Sequence, residues 1–180
     1  MELDSHADTV VLGRNCVVMN YTNRACNVMP YTDSYEPIKD VPVVQGATGY
    51  TNPKTGQSYI LVFNEALWMG DHMDHSLLNP NQLRHYGTIV QDNPYDSVQT
   101  HIANEDRTCV IPLSSFGTTL GFETFAPTAK DLLTYEHIIL TSNSPWNPQE
   151  VRFPEPSQLV EAEVYALSSM TPNFSAKAQA

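Results

Sequence analysis

Runs rich in β-branched and aromatic residues recur along this chain, each four to six residues long and each followed by turn formers. They lie at 9–12, 26–29, 41–44, 59–63, 88–91, 108–113 and 119–124. Runs of that length read as strands, and few windows sustain the 3.6-residue apolar period of a helix. Thirteen prolines and eight glycines supply the punctuation. "NPKTGQ", 52–57, reads as a hairpin turn with Gly56 providing a positive φ, and "EDRT", 105–108, reads as another turn. The chain is therefore expected to be mostly β.

One helix signal interrupts the pattern. In "SLLNPNQLRHYG", 76–87, Leu77 and Leu78 end a strand, Asn79 can cap and Pro80 suits the first helical position. Leu83 then faces inward and Gly87 closes a short helix near 79–86. A second helix is read at 128–135, with Thr128 as its cap. "SQLVEAEVYAL", 157–167, has the pattern of a short helix, and the last ten residues read as a frayed tail.

The length of 180 residues suits one domain with a tail. Formal net charge is −11, spread evenly: 10 acids and 5 bases in 1–95, 10 acids and 4 bases in 96–180. A chain without a basic patch lacks the cations that displace counterions, which argues against direct nucleic-acid binding. No apolar run reaches membrane-spanning length, and no secretory leader pattern is visible. Met1 stands only three residues before Asp4, so a start that falls inside a longer reading frame or reflects a trimmed gene is expected. Cys16, Cys26 and Cys109 are odd in number and form no C-x-x-C pair, so small buried hydrophobes in a reducing, intracellular setting are expected.

Two places carry candidate chemistry. In "ELDSHADT", 2–9, Asp4 and Ser5 follow an apolar approach. Two carboxylates held close cannot both ionise, so a pair shares one proton and can activate water, with a neighbouring hydroxyl bracing it. Read alone, the same residues also suit a capped turn. The other Asp-Ser pairs, Asp33-Ser34 and Asp96-Ser97, lack the apolar approach, so a partner for Asp4 has to be Asp4 of a second copy. In "GDHMDHS", 70–76, His72 and His75 with His6 and Asp8 form a weaker alternative as divalent-metal ligands. No P-loop, dinucleotide fingerprint or nucleophile elbow occurs.

Three segments together carry a resemblance. "ELDSHADT" resembles the apolar-apolar-Asp-Ser-Gly-Ala motif of retropepsin-like aspartic proteases. "YILVFNEALWMGDHMDHSLLNPNQLRHYG", 59–87, resembles the stretch closing the protease region of copia-type retrotransposon polyproteins, where Asn-Leu-Leu-Ser-x-x-Gln-Leu matches 76–83 here. "NVMPYTDSYEPIKDVPVVQG", 27–46, has the length and strand-turn-strand character of the flap. The Asp-Ser-His-Ala-Asp-Thr form is similar to a subgroup of that family.

The resemblance covers about 2–95 and implies a retropepsin-like closed barrel over 1–95. An additional β-hairpin segment or linker then fills 96–150, and a partly disordered tail 151–180. It implies a homodimeric aspartic endopeptidase that processes a retrotransposon polyprotein in the cytoplasm or a virus-like particle. It would act on extended peptide segments with no cofactor, no nucleic acid and no membrane. Asp4 would supply the dyad, Ser5 would brace it, and His6, Ala7, Asp8 and Thr9 would surround it. Tyr31, Thr32, Asp33, Ser34 and Tyr35 would form the substrate-covering flap. His6 stands where the family keeps glycine, at a tight turn where a Cβ is costly. Two alternatives remain open at this point: an inactive module of the same fold serving dimerisation or peptide binding, and the His/Asp metal domain.

Overall fold

Gly56 adopts φ +73° in the "NPKTGQ" turn and closes a hairpin between the two longest strands of the chain. The computed structural model describes residues 1–30, 32 and 34–153. The elements in chain order begin with β1 (Glu2–Leu3), β2 (Val11–Gly13), β3 (Val17–Val28), β4 (Ile38–Thr51), β5 (Ser58–Gly70) and β6 (Leu77–Leu78). Helix α1 (Pro80–His85) follows, then β7 (Ile89–Gln91), β8 (His101–Ala103), β9 (Val110–Pro112), β10 (Ser114–Phe116) and β11 (Thr119–Gly121). Helix α2 (Ala129–Thr134) and β12 (Glu136–Ile139) complete the set. Among the described residues the fold is mostly β, with two short helices, and none of these helices is long and apolar enough to cross a membrane.

Nine strands form one sheet, ordered β10-β11-β1-β6-β2-β5-β4-β3 with β12 added alongside β5; β7-β8-β9 form a second. The path is open, which corrects the closed barrel expected from the sequence. Closure requires the two end strands to meet. Here the ends are the three-residue β10 and the outer arm β3, which pairs only with β4 among the described strands. Residues Met1–Pro148 make up one unit and Gln149–Ala180 another. Within the first, β8 pairs with β7, and Glu2 of β1 registers with Gly121 of β11, so strands beyond residue 95 are built onto those before it. In the second, Arg152 donates to the carbonyls of Gln149 and Val151 at 3.3 and 2.9 Å. The helix anticipated at 157–167 and the tail lie outside the described residues.

The long strands sort their side chains by the two-residue period of a pleated sheet. Tyr59, Leu61 and Phe63 of β5 enter the main core, with Val10, Leu12, Val44, Leu78, Leu83, Ile102, Ile111 and Leu140. Ile60 and Val62 point the other way, into a cluster with Ala47. Across Asn64 and Glu65 the phase changes: Ala66 and Trp68 pack on the main core, while Leu67 and Met69 join Val41 and Val43. The register explains the change, since Phe63 opposes Gly46 and Ala66 opposes Val44. Two residues on β5 thus face Gln45 alone, a β-bulge. Glu65 takes φ +53° there, a left-handed conformation that costs a non-glycine residue about 1–3 kcal/mol.

The helices form where their caps dictate. Asn79 accepts from the Gln82 amide at 2.6 Å, and Pro80 opens α1. The chain leaves α1 through Gly87 at φ +86°. Leu83 and Gln82 are fully buried and Pro80 is buried beside them, so α1 is fastened to the rest of the fold by two apolar side chains and one polar one. Thr128 caps α2 in a reciprocal box with Asp131, and α2 buries none of its residues.

Candidate functional site

The strand β1 ends by handing its hydrogen bonding to the candidate loop. Asp4 N–H donates to the carbonyl of Leu78 at 2.9 Å, which fixes the loop's start against the strand that leads into α1. The 4–9 loop then turns, and His6 N–H donates to Asp4 Oδ1 at 2.8 Å. The Asp4 side chain is 30% exposed, and the His6 imidazole is 91% exposed with Nδ1 3.7 Å from Asp4 Oδ1. His6 is absent from the residues with positive φ. The turn therefore holds a side chain here without backbone strain, and the cost expected for replacing glycine does not arise. Ser5 is exposed and Ala7 half-buried.

Helix α1 holds the rest of the loop through buried amide side chains. Asn79 Nδ2 donates to the carbonyl of Ala7. Gln82 Oε1 accepts from Val10 N–H at 2.7 Å, while its Nε2 donates to the carbonyl of Glu65 at 3.0 Å. Val10 in turn accepts from Leu67 N–H at 2.9 Å. These are backbone groups at a strand end that lacks a ladder partner, and burial without such bonds costs about 1–3 kcal/mol per group. The two segments that carry the sequence motifs, 4–10 and 76–83, are thus brought into direct contact.

The far side of the loop is tied to a residue 137 positions away. Trp146 Nε1 donates to the carbonyl of Asp8 at 3.0 Å and lies 3.2 Å from Thr9 Oγ1, and Thr9 Oγ1 donates to Asp8 Oδ1 at 3.2 Å. Trp146 N–H donates to Glu65 Oε2 at 3.0 Å, and Arg24 of β3 pairs with Glu65 Oε1. Glu65 is only 5% exposed. The Trp146 ring stands 5.2 Å from that of His85 and 6.0 Å from that of Tyr86, whose hydroxyl donates to the carbonyl of Ser144 at 2.6 Å. Burial, with the Glu65 carboxylate as a second cause, pushes the Tyr86 phenol up to about 12, and Arg24 opposes the shift. The Cys26 thiol on β3 is also pushed up, first by burial and then by the Asp8 charge.

The flap candidates divide. Thr32, Ser34 and Tyr35 lie on the exposed connection between β3 and β4, where Thr32 Oγ1 donates to Ser34 Oγ at 3.2 Å and Tyr35 N–H donates to the Thr32 carbonyl at 3.3 Å. Those bonds stay within the connection. Tyr31 and Asp33 lie outside the described residues. The metal alternative is not assembled: His75 lies 3.4 Å from Glu2, His6 beside Asp4, and no three His, Cys, Asp or Glu side chains among the described residues could hold an ion together. Cys16, Cys26 and Cys109 are free thiols; Cys26 is exposed rather than buried as expected, while burial of Cys16 and Cys109 pushes each up to about 11, the state of inert packed thiols.

Sequence reasoning passed over Arg24, Glu65 and Trp146. One signal was available: a glutamate inside the apolar run "YILVFNEALWMG" is out of place unless a buried partner awaits it. No family model, curated protein or solved structure matches the chain.

Proposed function

We propose that the chain is a retropepsin-like aspartic endopeptidase, active as a homodimer and processing a retrotransposon polyprotein. The observation that carries this reading is the bracing of the 4–9 loop. A half-exposed Asp4 sits at a strand end in a loop held by the α1 residues Asn79 and Gln82, both inside the second motif of the resemblance. The backbone at His6, outside the positive-φ region that would favour glycine, supports this reading.

In this reading Asp4 of each copy contributes one carboxyl to a pair that shares a proton. The ionised member takes a proton from water as its oxygen adds to the scissile carbonyl, and the protonated member donates to the carbonyl oxygen. The tetrahedral intermediate then collapses: the C–N bond breaks, the nitrogen leaves protonated, and the carboxyl is restored. Ser5 braces the pair, and the β3–β4 connection closes over an extended peptide by strand-type bonding. The protein acts in the cytoplasm or within a virus-like particle, and neither cofactor nor nucleic acid takes part.

The test is cleavage of a peptide spanning a junction of the parent polyprotein between pH 4 and 7, with sedimentation to establish the dimer. Asp4→Asn is expected to lower kcat by about 10²–10⁴-fold, the range for losing a positioned acid–base group. Wild type and Asp4→Asn equally inert while dimeric would leave the inactive dimerisation or peptide-binding module as the reading.

A further inference from the structure

Glu65 and Trp146 have no part in the reaction just described, yet they are built with care. A carboxylate that is 5% exposed, on a residue held at φ +53°, is a costly arrangement that the fold keeps in place. Both its oxygens are engaged, Oε1 by Arg24 of β3 and Oε2 by the Trp146 amide. Trp146 is then held at a second point, because its indole N–H reaches Asp8 and Thr9. An indole fixed at the backbone and at the ring cannot swing away without breaking bonds at both ends.

The segment leading to Trp146 is anchored as well. Leu140 N–H donates to the carbonyl of Val62 at 3.0 Å, and Thr141 exchanges hydrogen bonds with the Asn64 main chain at 2.7 and 2.8 Å. The path therefore starts beside the β5 bulge, passes Tyr86 at the end of α1 and finishes at the loop. A tryptophan that only covered apolar surface would need neither the carboxylate nor the contacts from its indole nitrogen.

We propose that Glu65 and Trp146 are positioning residues for Asp4: through them residues 141–148 strap the 4–9 loop to β3, so that loop and hairpin arm are held as one body. This rests on the protease reading, since the placement of Asp4 matters to turnover only if Asp4 reacts.

The test uses the full chain, with hydrogen exchange of the 4–10 segment read alongside kcat and KM on the junction peptide. The amides of Asp4, His6 and Val10 are bonded in this segment and report its opening. Trp146→Phe keeps the ring and removes the indole donor. It is expected to speed exchange of 4–10 about tenfold, leave 59–63 unchanged, and lower kcat about tenfold with KM within about twofold. Glu65→Gln keeps the size and an acceptor for the Trp146 amide but loses the charge facing Arg24, and is expected to act in the same direction more weakly. Unchanged exchange of 4–10 in both variants overturns the strap, whatever the peptide result. Faster exchange with unaltered kcat overturns the positioning role. A wild type inert toward the peptide sinks the protease reading and the positioning role with it, while the exchange result still decides whether the strap exists.

Discussion

Helices α1 and α2 are each six residues long and each carry a side-chain cap, yet only one of them matters to the site. α2 has the better local signature, with Thr128 and Asp131 satisfying each other's backbone, but it buries no residue fully and only Leu132 packs, partly buried, on the Ala47, Ile60 and Val62 cluster. α1 has no acid in its first turn and a single cap bond from Asn79, but its Leu83 fills the core and its Gln82 completes the ladder that the 4–9 loop leaves open. Capping decides where a short helix starts. What the helix does is decided by the few side chains that leave the surface.

The comparison can be broken first at the matched leucines. Leu83→Ala empties a fully buried position and is expected to cost about 2–5 kcal/mol in a denaturant melt. Leu133→Ala on α2, where the side chain is 89% exposed, should stay within about 0.5 kcal/mol. Equal effects would remove the distinction between the helices. Next comes Gln82→Ala, which strands the Val10 N–H and the Glu65 carbonyl. A loss of about 2 kcal/mol is expected, with faster amide exchange at Val10.

A local effect belongs to the α2 cap. Thr128→Ala is expected to cost about 1 kcal/mol of that helix alone, seen as faster exchange of its amides with the global melt nearly unmoved. A pH signature sharpens the point. The Thr128 amide, and after it the Thr128 hydroxyl, hold the Asp131 carboxyl below its ordinary value. A carboxyl depressed in the folded state stabilises fully above its unfolded value and ceases to as pH falls through the folded one. α2 should therefore loosen on acidification as pH falls through the folded value, and Thr128→Ala should move the Asp131 titration, followed by NMR, back up.

How far the sequence reaches follows from where the signals lie. Asn79, Pro80, Gly87, Thr128 and Gly56 act on their immediate neighbours, and every one takes the local role their chemistry indicates. Strand extent was harder. The run read at 26–29 is the end of a strand that begins at Val17, because β3 lies at the sheet's edge with mostly exposed residues such as Asn20, Asn23 and Arg24 and no alternation to read. β8, β10 and β12 are three or four residues long and, unlike the equally short β7, β9 and β11, lie outside the runs that read as strands. At the site, Asp4 and Ser5 were legible as a motif. The partners of Glu65 lie 41 and 81 positions away, a separation that no local pattern encodes.

The extra residue in β5 also governs which changes in length the chain can absorb. Before it, odd-numbered positions carry the main core; after it, even-numbered ones do. Deleting one residue at 64 or 65 would remove the bulge and restore an unbroken alternation with Ala66 and Trp68 still on the main core, whereas deleting one elsewhere in the strand would exchange the two faces on one side of the deletion. The exposed connection between β3 and β4 imposes no such parity. Homologous chains can therefore be expected to drift freely in length at the hairpin tip, while a single-residue loss between Tyr59 and Gly70 is compatible with both faces only at the bulge.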